Sequence, residues 1–168
     1  MSSSGIADTD IISLSRTLRA KTLREIQEVR HPKQNAILRQ RLAMAGLAVL
    51  ELEDLSEEEA STVRSQTSTQ WLSACNAFDE GGFMENLEIA LGEFYDMNSA
   101  TEQQRVEAKI YELRIELLRG DTMGTVLSRA EELFELAKAN SWKRIRNLAA
   151  LLVLAAKVVA EQNSPVSS

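Results

Sequence analysis

The side chains best suited to chemistry are scarce in this chain. It has one histidine, His31, and one cysteine, Cys75. A zinc site draws several His or Cys ligands at defined spacing, so this pair cannot supply one. Di-iron helical bundles take Glu-x-x-His pairs from two helices, and a single histidine followed by Pro32 excludes that option. His31 reads as an ordinary exposed or capping residue. Cys75 shares the apolar side of a helical pattern with Trp71 and Phe78. It reads as a small buried hydrophobe, because a reactive thiol needs a positive, accessible setting. A Cys75–His31 dyad would need the two to meet across the fold beside an orienting third group, and none is suggested nearby.

Carboxylates cluster at Glu57-Glu58-Glu59, Glu85 with Glu88, Glu93 with Asp96, and Glu131-Glu132. Paired carboxylates do acid–base work only where a pocket shifts their pKa values. These lie near helix starts or on polar faces, where they favour the helix dipole and solubility. No Gly-x-Gly-x-x-Gly or Walker-type spacing occurs, so no phosphate-cradling loop is expected. No catalytic, cofactor-binding or metal-ligating set emerges, and the chain reads as a non-enzyme without a cofactor.

The cationic residues carry more. Arg16, Arg19 and Arg30 fall within about 60° of one another on a helical wheel, and with Arg24 they make a basic N-terminal helix. Lys143, Arg144 and Arg146 gather where the last helix starts, next to Trp142. That end disfavours positive charge, so the cluster points to an acidic partner, either external or the Glu57–Glu59 run. Arg16, Arg19, Arg24, Trp142, Lys143, Arg144 and Arg146 are the candidate partner-binding residues.

These side chains sit on a background that is helical by composition. Of 168 residues, 44% are hydrophobic and 26% charged, with only 7 Gly and 2 Pro. That is too few turn residues for a β-rich domain, whereas Ala, Leu, Glu and Arg lose little freedom in helices. The formal charge is −6, unevenly placed. The first fifty residues have eight basic against four acidic side chains, and the remainder has 11 against 21. The acidic balance opposes general nucleic-acid binding. One cysteine suits a reducing compartment, and the N-terminus lacks a secretory pattern. The apolar runs at 42–50 and 148–160 are too short for the roughly 20 residues that span a bilayer. The expected location is cytoplasmic, with no membrane partner.

Seven helices are expected. The first follows a cap at Asp8 or Asp10, places Ile11, Leu14, Leu18, Ile26 and Val29 on one face, and ends at His31-Pro32. The second runs from Pro32 to about Glu53, its second half apolar nearly all round and so deeply buried. Ser56 and Glu59 make a capping box for a third, which Gly81-Gly82 ends. The fourth covers about Phe83–Met97, with Leu87, Leu91, Phe94 and Tyr95 inward. The fifth covers about Glu102–Arg119, capped by Ser99 or Thr101, with Val106, Ile110, Leu113 and Leu117 inward. The sixth covers about Thr122–Ala139, with Val126, Ala130, Leu133, Phe134 and Ala137 inward. The last runs from Trp142 to about Gln162. The domain plan is a tail at 1–7, one all-α domain at 8–162 (basic at 8–53, acidic at 54–162), and a tail at 163–168. Its architecture is a short helical-repeat array or an orthogonal bundle.

The stretch from about Val106 to Ala160 resembles tetratricopeptide-type helical hairpin repeats. Leu113-Arg-Ile-Glu-Leu-Leu-Arg-Gly-Asp121 is similar to the end of a repeat's first helix and its turn. Ala130-Glu-Glu-Leu-Phe-Glu-Leu-Ala137 is similar to the second helix, and Asn140-Ser-Trp-Lys-Arg144 to the turn into the next repeat. The chain departs from the pattern at Glu116, where those repeats usually place an aromatic. The resemblance implies a protein-binding groove and no catalysis.

The last helix has two apolar stripes: Trp142, Ile145, Ala149, Leu152, Ala156 and Val159, and then Ala150, Leu151, Val153, Leu154 and Val158. A terminal solenoid helix should have a polar outer face. The second stripe predicts a homodimer or obligate complex with this helix near the interface. The leading expectation is an adaptor, chaperone or regulatory subunit that binds another protein. Trp71, Phe78, Phe94, Tyr95 and Trp142 are the aromatic candidates for contact. The alternative is a nucleic-acid-associated regulator using the basic N-terminal helix.

Overall fold

The computed structural model of the chain describes residues 21, 24–26, 31–51, 55–120 and 124–163. The fold is all-α. Lys21 and residues 24–26 are helical. Six bounded helices follow: α1 (Pro32–Glu51), α2 (Glu57–Gly81), α3 (Met84–Asp96), α4 (Glu102–Leu118), α5 (Thr125–Ala139) and α6 (Lys143–Asn163). Among the described residues there is no strand. The expected tails at 1–7 and 164–168, the caps at Asp8 and Asp10, and the turn residue Asp121 lie outside the described residues. Asn163, expected in the tail, is the last residue of α6.

The helix ends follow local chemistry. At the start of α2 the Ser56 hydroxyl accepts from the Glu59 N–H at 3.1 Å, and the Ser56 N–H donates to Glu59 Oε1 at 3.4 Å. Thr101, rather than Ser99, caps α4 in the same way, exchanging bonds of 3.1 and 3.0 Å with Gln104. Each box satisfies two backbone donors that a bare helix end would leave orphaned. Gly82 stops α2 at φ +75°. There its N–H donates to the Asp79 carbonyl and the Phe83 N–H to the Phe78 carbonyl, the paired bonds of a Schellman stop. Ser141, at φ +59°, plays that part between α5 and α6.

The chain divides into two compact units, Met1–Ala100 and Thr101–Ser168. In the first, α2 packs against both α1 and α3. Its core holds Leu42, Ala43 and Val49 from α1, Trp71, Leu72, Cys75 and Phe78 from α2, and Leu87, Leu91 and Phe94 from α3. The apolar half of α1 is buried on one side only. Met44 is 53% exposed and Ala48 is exposed too, because a helix covers only the face that its neighbours reach. Arg39 on α1 donates to Ser73 on α2 at 2.6 Å and to Asn35 at 2.7 Å. Lys33 Nζ stands 5.4 Å from the Phe83 ring centre.

The second unit is a three-helix arrangement in which α4, α5 and α6 each touch the other two. Val106, Ile110, Leu113 and Leu117 of α4 meet Val126, Ala130 and Ala137 of α5 and Ile145, Ala149, Leu152 and Ala156 of α6. These are the inward residues that the 3.6-residue period selects. Leu133, Phe134, Trp142 and Val159 pack against the edge of that core, partly buried.

At Gly46, α1 approaches α2 closely. A Cβ there would lie 2.1 Å from Thr67 Oγ1 and 3.1 Å from Thr67 Cβ. Thr67 is buried and its hydroxyl donates to the Val63 carbonyl at 2.7 Å. A β-branched side chain in a helix has little rotamer freedom to yield. Gly46→Ala should therefore destabilise the chain by about 1–3 kcal/mol despite alanine's better helix propensity. The double variant Gly46→Ala/Thr67→Ala should recover part of that loss in urea unfolding.

Candidate functional site

His31 is exposed and Cys75 is wholly buried. Glu57, Glu58, Glu59, Glu85, Glu88, Asp96, Glu131 and Glu132 are exposed, and Glu93 is half-buried. Burial, and then the nearby Asp96 charge, pushes the Glu93 carboxyl up from its ordinary value. Among the described residues no group of three or more His, Cys, Asp or Glu is placed to hold a metal ion. No described helix is long and apolar enough to cross a membrane.

Of the candidate cations, Arg16 and Arg19 lie outside the described residues, and Arg24 is exposed. Lys143 is exposed and Arg146 and Trp142 are half-buried. Arg144 bonds through Nη1 to the Glu107 carboxylate on α4. For Arg144 an acid is thus supplied from within the same unit. Of the aromatics, Trp71, Phe78 and Phe94 are buried, and only Tyr95 and Trp142 keep partial exposure.

Glu107 is the residue that sequence reading missed. Its side chain is only 7% exposed, and it accepts from the Tyr111 hydroxyl at 2.6 Å as well as from Arg144. Glu107 and Tyr111 lie one helical turn apart, so both side chains leave the same face of α4. That Glu-x-x-x-Tyr spacing is the one signal that marked the pair. A buried carboxylate is costly unless it is paired and hydrogen-bonded. Here both of its oxygens are engaged, one by a phenol and one by a guanidinium. The cluster fixes α6 to α4 and orients Arg144. Burial, and then the Glu107 charge, pushes the Tyr111 phenol far up from its ordinary value.

The second feature is the outer face of α6. Leu151, Leu154 and Val158 are 63%, 59% and 52% exposed, one to two turns apart on the side opposite Ile145, Ala149, Leu152 and Ala156. Met44, Ile89 and Leu118 are also exposed, but each stands alone on its helix, which is ordinary for a surface. Three together are not. On one side of the stripe lies a groove of about 430 Å³ between α5 and α6, with an apolar floor of Phe134, Ala150, Val153 and Leu154 and charged rims of Glu131, Glu135 and Lys157. On the other side is a shallower depression of about 420 Å³ formed by Lys143, Arg144, Asn147, Leu148 and Leu151. The structure thus joins Lys143 and Arg144 to an apolar surface, and leaves Arg146 outside it.

No family model, curated protein or solved structure matches the chain.

Two outcomes follow from the Glu107 cluster. Arg144→Ala strands a buried carboxylate and should cost about 1–3 kcal/mol in urea unfolding. Arg144→Ala/Glu107→Gln should regain part of it, because the neutral amide needs no cation and its oxygen still accepts from the Tyr111 hydroxyl. The folded chain holds the Tyr111 phenol protonated above its ordinary value of 10.0. The stability from this group is therefore complete below pH 10 and lost as pH rises above it. Melting followed from neutral to strongly alkaline pH should show that decline in the parent chain and a shallower one in Tyr111→Phe.

Proposed function

We propose that this chain is a non-enzymatic protein–protein interaction module, an adaptor, chaperone or regulatory subunit, that binds through the outer face of α6. The observation that carries the reading is the row Leu151, Leu154 and Val158, exposed beside an apolar-floored groove. Leaving three large aliphatic side chains in water forgoes about 2 kcal/mol for each. A surface of that kind on one face is what a partner helix covers. The groove supplies a polar rim, with Glu131 and Glu135 opposite Lys157, as protein interfaces do.

The resemblance of residues 106–160 to tetratricopeptide-type repeats points the same way, since such repeats present grooves to other proteins. On this reading the protein works in the cytoplasm, as its lone, buried Cys75 suits. The basic groups Arg16, Arg19 and Arg24 have no role in it.

A photo-crosslinking amino acid at position 154 tests the proposal in cells. The expected result is a discrete protein adduct, lost when Leu151→Asp is added while the helical circular-dichroism signal stays unchanged. Failure to form any protein adduct, or an adduct indifferent to Leu151→Asp, overturns it.

A further inference from the structure

The outer face of α6 has a stricter pattern than mere exposure. Arg144, Asn147, Leu151, Leu154, Val158 and Glu161 succeed one another at spacings of three, four, three, four and three residues, and all six are exposed. That is the spacing of a coiled-coil seam. A helix facing only water has no need of it, and the inner stripe of α6 is already spent on α4 and α5.

We infer that a second copy of this chain covers the seam, its α6 antiparallel to the first. The charges at the two ends carry this choice. Arg144 opens the seam and Glu161 closes it. A parallel pair would set Arg144 against Arg144 and Glu161 against Glu161. An antiparallel pair centred between Leu151 and Leu154 sets Arg144 of each copy against Glu161 of the other. The same register puts Leu151 against Leu154 and Asn147 against Val158. The three layers and their mirror images then fill the seam with no like charges opposed. Antiparallel helix dipoles add to the preference.

Arg144 can serve both acids, since a guanidinium carries five N–H donors and its bond to Glu107 uses Nη1. That bond also holds the side chain in place before any partner arrives. Two heptads alone make a marginal pair. The half-buried Ala150 and Val153 and the α5 residue Phe134, beside the seam, widen the contact beyond it.

This inference rests on the reading of α6 as an interaction surface and names its occupant. Sedimentation equilibrium of the purified full chain at micromolar concentration should give a dimer. Leu154→Glu should raise its dissociation constant at least about a hundredfold while the far-ultraviolet circular dichroism is retained. Glu161→Arg, remote from the core, provides a second variant. It should weaken the dimer at low salt, with less effect at high salt.

Orientation is read by disulfide trapping in a Cys75→Ala background. Copies bearing Asn147→Cys should crosslink to copies bearing Val158→Cys. Asn147→Cys alone should not, because in the antiparallel register its own copy lies about 16 Å away along the axis and a disulfide needs Cα atoms within about 7 Å. A monomer at every concentration, or self-crosslinking of Asn147→Cys alone, overturns the inference. If the chain is monomeric yet the crosslinker at position 154 captures a different protein, the broader interaction reading survives and the self-pairing falls.

Discussion

A helix can bury apolar surface only against the neighbours it has, and α6 has more apolar surface than neighbours. Its 21 residues carry two stripes on nearly opposite sides. Helices α4 and α5 reach one of them, and Ile145, Ala149, Leu152 and Ala156 disappear into the core of the second unit. The other stripe, Leu151, Leu154 and Val158, stays more than half exposed. The hydrophobic effect is indifferent to which chain covers a surface. The mismatch between what α6 could bury and what its unit can cover is therefore the source of the binding reading.

The Glu107 cluster bears on how firmly that face is presented. A buried carboxylate bonded by Tyr111 and Arg144 links α4 to the first turn of α6. The linkage is directional, whereas apolar packing is not. It holds the start of α6, and with it the basic end of the outer stripe, in one rotational setting. A cation beside the positive end of a helix dipole is unfavourable alone, and the buried acid across from it offsets that cost. The first unit uses a different device. There Gly46 admits Thr67 to close approach, and the packing of α1 on α2 is set by a missing side chain rather than by a charge pair.

The helical class and most helix ends were legible in the sequence because they depend on near neighbours. The Ser56–Glu59 box, the Gly82 stop and the inward set Val106, Ile110, Leu113 and Leu117 all involve residues within a few turns of one another. Where two local solutions competed, at Ser99 and Thr101, the choice fell to Thr101, and Ser99 stands 3.2 Å from the buried Ser68 hydroxyl instead. The apolar half of α1, expected to be deeply buried, is covered on one side only, because periodicity cannot count the helices that will surround an element.

A helical chain, poor in reactive groups and with a final helix too apolar for one face, was already written in the order of the residues. These follow from residue type and from a period that every helix shares. Tertiary structure decided what Arg144 is for, since its partner Glu107 lies 37 positions away and nothing local couples them. It also decided the division into two units and which stripe of α6 faces water. Pairing across such distances depends on how the chain is brought together in space, and a one-dimensional pattern gives the faces of a helix without saying which of them will meet another.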